Sequence, residues 1–161
     1  MNIFKNYLSK KKFTKFKFEL FETEFPWFYR NKQILNNNEN TPFYFTHCFI
    51  KDDRILSDWY EPYIVPIVKK LKAINIIEIR ANLVVNTGKN QKSGYHVDFP
   101  HLKNKTAILY MNTCNGYTLF KDKKKVMSEE NKMIIFDGQM EHEGIGQTDT
   151  KRRILINFNY Y

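Results

Sequence analysis

The amino-acid sequence predicts a mainly β fold, a sandwich or barrel of the jelly-roll kind with one or a few flanking helices. Short apolar runs separated by turn residues fill most of the chain after residue 75, and only one segment has a clear helical period. Strands are predicted at residues 13 to 20, 43 to 50, 76 to 85, 106 to 112, 117 to 120, 125 to 127, 133 to 136 and 153 to 160.

Length and composition favour one domain covering residues 1 to 161. Cys48 and Cys114 are the two cysteines, and their spacing suits neither a zinc site nor a disulfide framework, so we expect a reducing, cytoplasmic location. Neither a secretory signal nor a membrane span is predicted, because no apolar run is long enough. The formal net charge of +9 makes a nucleic acid partner physically reasonable, although most basic residues are dispersed.

The first half of the chain offers mainly packing elements. The predicted strand at residues 13 to 20 rests on the alternation of Phe16, Phe18 and Leu20. The aromatic cluster at residues 25 to 29, which contains Trp27, is interpreted as core packing, with a substrate-binding platform as the alternative. The Asn-rich stretch at residues 31 to 40 is predicted to be a loop.

One helix is predicted at residues 57 to 73, where apolar residues recur at helical spacing. Asp58 and Glu61 are placed like a capping box, and Pro66 should bend or interrupt the helix. His47, in the strand before it, is interpreted as a core or edge histidine rather than a ligand.

The strand at residues 76 to 85 leads towards the polar residues of interest. Arg80 and Asn82 share one face, which either lines the mouth of a site or is solvated. The polar loop at residues 86 to 94 follows and is placed to form a wall of the entrance.

Three side chains are candidate metal ligands. On a β-strand, His96 and Asp98 would point to the same face and could hold one ion together. His142 would complete a set of two histidines and one carboxylate, which leaves coordination positions open and suits non-haem Fe(II). His101 is left out, because it would face away if the strand continued.

Arg153 begins the last predicted strand and is a candidate anion-binding residue. A buried arginine needs an anion, because an unpaired buried charge is costly. Arg152 competes for this role, but strand parity favours Arg153, which shares a mixed polar face with Leu155, Asn157 and Asn159.

These residues resemble the 2-oxoglutarate- and Fe(II)-dependent oxygenases, in particular the prolyl 4-hydroxylase-like branch. The resemblance covers roughly the second half of the chain, from about residue 82 onwards, counted by motif. It rests on His96-Val97-Asp98 followed by Pro100, on Leu109-Tyr110-Met111-Asn112, on His142-Glu143 and on Arg153.

The resemblance implies a double-stranded β-helix and an enzyme, a dioxygenase. By this likeness His96, Asp98 and His142 would be the metal ligands, Arg153 would pair with the distal carboxylate of 2-oxoglutarate, and the Tyr110 hydroxyl would donate to that carboxylate. Fe(II), 2-oxoglutarate and O2 are the implied cofactors and cosubstrates, with ascorbate as a further candidate. The expected reaction is hydroxylation of a C–H bond, with succinate and CO2 as co-products.

Three functions remain open from the sequence. The resemblance favours a peptide or protein substrate hydroxylated on a prolyl residue, whereas the charge favours an oxygenase acting on a nucleic acid base; a small-molecule substrate is a further alternative. The third function is a non-catalytic jelly-roll binding module, although such a module would need none of the triad, the tyrosine and the arginine together. No membrane partner is expected.

Overall fold

The computed structural model describes residues 1–31 and 42–161. Its strands are β1 (Asn2–Phe4), β2 (Phe28–Arg30), β3 (Tyr44–Lys51), β4 (Arg54–Ile55), β5 (Ile76–Val85), β6 (Lys105–Tyr110), β7 (Tyr117–Phe120), β8 (Lys125–Met127), β9 (Lys132–Asp137), β10 (His142–Ile145) and β11 (Arg152–Tyr160). Its helices are α1 (Lys10–Glu22), a π-helix (Tyr60–Ile64) and α2 (Val65–Leu71). The loop predicted at residues 31 to 40 lies, apart from Asn31, outside the described residues.

The strands form two antiparallel sheets. The large sheet has the order β1-β9-β6-β11-β5-β3-β2, with β4 paired to β3, and the small sheet has the order β10-β7-β8. This architecture confirms the predicted mainly β, jelly-roll fold. Each strand predicted after residue 42 matches an observed strand to within two residues at either end, but β10, which carries His142, was not predicted.

The strand predicted at residues 13 to 20 is wrong, because this segment belongs to helix α1. Its buried side chains Phe13, Phe16 and Leu20 follow a helical period, whereas Phe18 is 56% exposed. A short alternation of aromatic residues therefore resembled a strand, but packing decided the structure. The Phe16 ring stacks on that of Tyr63 at a centroid distance of 4.8 Å, so α1 is joined to the π-helix.

The helix predicted at residues 57 to 73 is present but shorter and divided. It begins as the π-helix and continues as α2, whose first turn contains Pro66, so the predicted interruption lies where one helix type replaces the other. The capping box of Asp58 and Glu61 does not form. The helix begins at Tyr60, so Trp59 and not Asp58 occupies the cap position. The Trp59 side chain makes no capping hydrogen bond.

His47 is buried in β3, as predicted for a core histidine. Its ring nitrogens contact the Pro26 carbonyl at 2.9 Å and the Ser57 hydroxyl at 2.7 Å, so both are satisfied. The interpretation of residues 25 to 29 as core packing is correct for Phe25, which lies against His47, but Phe28 and Tyr29 are more than half exposed.

Apolar side chains are buried on both faces of the large sheet. One core cluster lies between this sheet and the helices, and it includes Ile154, Ile156 and Phe158 of β11. A second cluster lies between the two sheets and includes Leu155 from the opposite face of β11. In the part of the chain that the structure describes, no helix has the length and apolar character needed to cross a membrane.

Candidate active site

A backbone pair between β10 and the loop that connects β5 to β6 brings His96 and His142 together. The two residues form an isolated antiparallel bridge in which each N–H donates to the other's carbonyl at 3.0 Å. Residues directly opposite each other in such a bridge project their side chains to the same side, and the imidazole centroids are 4.7 Å apart. The predicted strand carrying both His96 and Asp98 does not form, because Asp98 lies in a bend.

The tautomer of each histidine is set by a backbone carbonyl. Nδ1 of His96 lies 3.0 Å from the Gly94 carbonyl, and Nδ1 of His142 lies 3.0 Å from the Met140 carbonyl. A carbonyl can only accept, so Nδ1 carries the hydrogen in both rings and Nε2 of the neutral ring keeps its lone pair. Backbone partners of this kind orient imidazoles that bind metals.

The Asp98 carboxylate completes the cluster. Its Oδ1 lies 3.5 Å from Nε2 of His96, and its Oδ2 accepts a 3.3 Å hydrogen bond from Nδ2 of Asn159. The Asn159 amide is itself oriented by the Thr106 hydroxyl, which donates to Oδ1 at 2.8 Å. One potential ligand atom from each of His96, Asp98 and His142 lies within 4.8 Å of the others.

Burial and charge act in opposite directions on this cluster. Burial alone would raise the pKa of Asp98, but the hydrogen bond from His96 and the nearby positive charges outweigh it and lower the pKa well below its usual range. Burial lowers the pKa of His142. Burial would also lower the pKa of His96, but its hydrogen bond to Asp98 outweighs this and raises it. Asp98 is therefore ionised and His142 neutral near pH 7, and a metal ion would displace the proton between His96 and Asp98.

Arg153 lies in the cavity lined by both histidines and is almost fully buried, with 1% of its surface exposed. Its Nε and Nη2 atoms have no hydrogen-bond partner among the described residues. Burial disfavours the charged guanidinium and lowers the pKa of Arg153. Its side chain passes close to two glycines, since a Cβ at Gly116 would lie 2.9 Å from Cδ of Arg153 and one at Gly144 would lie 3.8 Å from Nη1.

Arg152 points away from this cavity. Its Nη2 donates to the Phe21 carbonyl at 2.9 Å and lies 3.5 Å from the Glu22 carboxylate. The structure thus separates the two adjacent arginines as strand parity predicts, with Arg153 inside and Arg152 joined to helix α1.

Tyr110 is fully buried beside Arg153, whose guanidinium carbon lies 5.6 Å from the centre of the tyrosine ring. Its hydroxyl donates to Oγ1 of Thr118 at 2.8 Å. Thr118 lines the cavity, so this hydroxyl pair lies at the arginine end. The direct contact between Tyr110 and a cosubstrate remains a prediction.

Arg80 and Asn82 of β5 line the same cavity, which supports the first of the two alternatives for their face. Sequence reasoning named Asn157 and Asn159 only as members of a polar face, and it missed Thr118 and Ser93, which also belong to the site. Small polar residues on strands have no distinctive spacing, so no sequence signal marked them. His101 is exposed and lies outside the cluster of His96, Asp98 and His142.

The residues present fit the groups that the resemblance implies. Two imidazole nitrogens and one carboxylate suit a divalent transition metal with open coordination positions. The unpaired guanidinium in the same cavity suits the carboxylate of an anion held beside that metal.

The sequence matches no protein-family model and no curated protein. The fold, however, resembles solved structures. A prolyl hydroxylase from Trichoplax adhaerens, in complex with a hypoxia inducible factor oxygen degradation domain peptide fragment, has a TM-score of 0.71 at 16% identity over 99% of this chain and 82% of its own.

Two further structures are similar. A 2OG-Fe(II) oxygenase family oxidoreductase from Burkholderia pseudomallei has a TM-score of 0.72 at 9% identity, over 97% of this chain and 82% of its own. The non-haem alpha-ketoglutarate-dependent epimerase SnoN from nogalamycin biosynthesis has a TM-score of 0.67 at 12% identity, over 99% of this chain and 76% of its own. The TM-scores show a common fold, but identities this low do not show a common substrate. The chain has the double-stranded β-helix fold of the 2-oxoglutarate- and Fe(II)-dependent oxygenases, as the sequence resemblance implies.

Proposed function

We propose that this protein is a 2-oxoglutarate- and Fe(II)-dependent dioxygenase that hydroxylates a C–H bond, with a prolyl residue of a peptide as its substrate. The observation that carries the proposal is the shared cavity. Two histidines and a buried arginine with unpaired donors line it, and an ionised aspartate lies 3.5 Å from Nε2 of His96. A non-catalytic binding module has no need for this combination.

Each group has a defined role in this proposal. His96, Asp98 and His142 hold Fe(II), and Arg153 pairs with the distal carboxylate of 2-oxoglutarate. Bound Fe(II), with O2 and 2-oxoglutarate, supplies the oxidation that converts a C–H bond to C–OH while the cosubstrate becomes succinate and CO2.

The chain's own residues position and protect these reactants. The Gly94 and Met140 carbonyls hold the two imidazoles, and Asn159 holds the Asp98 carboxylate. Arg153 orients the cosubstrate from the opposite end of the cavity. Apolar side chains also line the cavity and exclude water from the reacting groups; they are Val84, Ile108 and Leu155.

A peptide substrate is supported by the surface beside the cavity. Pro42 and Tyr44 line the cavity, and the neighbouring strand β2 exposes Phe28 and Tyr29. Phe28 and Arg30 pair with Thr46 and Tyr44, so they lie on the cavity side of the sheet. Both side chains are exposed, so the rim combines an aromatic ring with a cation. An extended peptide can pack against such a rim. The Trichoplax prolyl hydroxylase, which has the same fold, was solved with a peptide fragment.

Metal binding provides the first test. Calorimetry with Mn(II), a redox-quiet substitute for Fe(II), should detect one site in the wild-type protein, and both His96→Ala and Asp98→Ala should abolish it. His101→Ala is the matched control, because His101 is exposed and lies close in sequence but outside the cluster. Unchanged Mn(II) affinity in the first two variants would refute the metal site.

Turnover tests the substrate. With Fe(II) and O2, succinate formation should increase with proline-containing peptides more than with single- or double-stranded oligonucleotides, and the peptide should gain the mass of one oxygen atom. Oligonucleotide-dependent turnover that weakens steeply with salt, without stimulation by peptides, would instead identify a nucleic acid substrate.

A further inference from the structure

The registers of β5 and β11 arrange the polar side chains of the cavity as successive cross-strand pairs. The pairs are Arg153 with Val84, Leu155 with Asn82, Asn157 with Arg80, and Asn159 with Glu78. Arg153 marks the proposed cosubstrate end, and Asn159, bonded to Asp98, marks the metal end. The Arg80–Asn157 pair therefore lies next to the metal end and two pairs away from Arg153.

Both members of this pair have buried polar atoms without a partner. Nε of Arg80 and Oδ1 of Asn157 make no hydrogen bond to any described residue, although the two residues are direct neighbours on adjacent strands. Both line the cavity together with His96. Leaving a buried donor or acceptor unpaired is costly, so these atoms are expected to meet a ligand group when the site is filled.

The charge of Arg80 is only partly balanced within the protein. Its Nη1 lies 3.2 Å from Oε1 of Glu78, but the other oxygen of this carboxylate lies 3.7 Å from Nζ of Lys51. Two cations thus share one carboxylate. Burial disfavours the charged guanidinium, but Glu78 and Asp98 are among the groups that outweigh it and raise the pKa of Arg80, so this residue stays cationic.

We propose that the substrate carries a carboxylate, and that Arg80 binds this group beside the metal with Asn157 as its neighbouring polar contact. This inference rests on the proposed function and narrows its substrate class. The planar fork of a guanidinium matches a carboxylate with two parallel N–H donors, and Nε of Arg80 has no partner among the described residues. The Asn157 oxygen accepts an N–H of the same substrate. Arg153 is not available for this role, because it serves the cosubstrate.

The carboxylate has two sources, a free amino acid or an acidic residue next to the target in a peptide. Two matched probe pairs distinguish them. The first is L-proline against L-prolinamide, and the second is a capped Ala-Pro-Glu-Ala peptide against its Ala-Pro-Gln-Ala counterpart. Binding is measured by calorimetry on protein loaded with Mn(II) and 2-oxoglutarate, so that the readout does not depend on turnover.

We expect the carboxylate member of one pair to bind about 30-fold more tightly than its amide partner, the lower end of the cost of breaking a buried charge pair. Arg80→Met should remove this preference and leave 2-oxoglutarate affinity unchanged. Arg80→Lys, which keeps the charge without the fork, should retain part of it and provides a second variant if the methionine variant unfolds. Arg152→Met removes the same charge outside the cavity and should retain the full preference.

Three results would overturn the inference. In the first, wild-type protein shows no carboxylate preference in either pair while it still binds Mn(II) and 2-oxoglutarate, which leaves the proposed function intact. In the second, Arg80→Met weakens 2-oxoglutarate binding instead, which assigns Arg80 to the cosubstrate. In the third, wild-type protein fails to bind 2-oxoglutarate with Mn(II), and the proposed function and this inference fail together.

Discussion

The two faces of strand β11 are buried to a similar extent and yet serve different purposes. On the face towards the helices, Ile154, Ile156 and Phe158 are fully enclosed by other apolar side chains. On the face towards the small sheet, Arg153 and Asn157 are also buried, but each has polar atoms without a partner among the described residues. The first face gains stability from its contacts within the chain.

The second face bears the energetic cost of buried polar atoms without a compensating contact in the chain. Such an arrangement is expected where a ligand supplies the missing partners. Arg152 and Arg153 show the same difference between paired and unpaired groups. Arg152 is hydrogen-bonded to helix α1, whereas Arg153 has donors without a partner inside the cavity. Substitutions on the two faces should therefore change different measured quantities.

The largest effect on stability is expected on the helix-facing side. Phe158→Ala should lower the free energy of unfolding by about 3 to 5 kcal/mol, because it removes a fully buried ring and leaves a cavity. Urea denaturation measures this change, and the remaining folded protein should bind Mn(II) normally. A loss below about 1 kcal/mol would show that this face tolerates truncation and that the contrast is overstated.

Arg153→Met should have the reverse profile. We expect 2-oxoglutarate affinity in the presence of Mn(II) to fall by roughly 30-fold or more, since a buried charge pair is lost. The free energy of unfolding of the ligand-free protein should not decrease, because an unpaired buried guanidinium is replaced by an apolar side chain of similar length. Calorimetry and urea denaturation measure the two effects. If stability falls as it does for Phe158→Ala, Arg153 is a structural residue.

Asn159→Ala should produce a smaller and specific defect. Asn159 donates a hydrogen bond to the Asp98 carboxylate, so its loss should weaken Mn(II) binding by about 10- to 100-fold. Affinity for 2-oxoglutarate at saturating Mn(II) should be nearly unchanged. An equal loss of both affinities would mean that the variant has disturbed β11 as a whole.

The smallest effect is expected for Arg152→Met. This partly exposed arginine is paired with Glu22 at the surface, and such pairs contribute about 0 to 1 kcal/mol. Neither Mn(II) nor 2-oxoglutarate affinity should change. If this variant weakens 2-oxoglutarate binding more than Arg153→Met does, the assignment of the anchoring arginine is wrong.

Much of the fold could be predicted because its strands have regular local patterns. The predicted bounds of β5, β7 and β8 agree with the structure, and strand parity alone placed Arg153 and Arg152 on opposite faces of β11. Helix α1 was missed because Phe16, Phe18 and Leu20 alternate locally, whereas the choice between helix and strand was made by packing against β3 and the π-helix.

Residue types and order were enough to name the candidates His96, Asp98 and His142. They were not enough to predict which contacts bring the three side chains together. The prediction invoked a strand through His96 and Asp98, whereas the structure uses a backbone bridge between His96 and His142 and an asparagine from β11 that holds Asp98. The sequence by itself determined the mainly β class, the parity of β11 and the chemical types available to the site. Tertiary structure decided which polar atoms are paired, because that depends on contacts between strands far apart in the chain. The unpaired atoms of Arg80, Arg153 and Asn157 therefore became visible only in the folded chain.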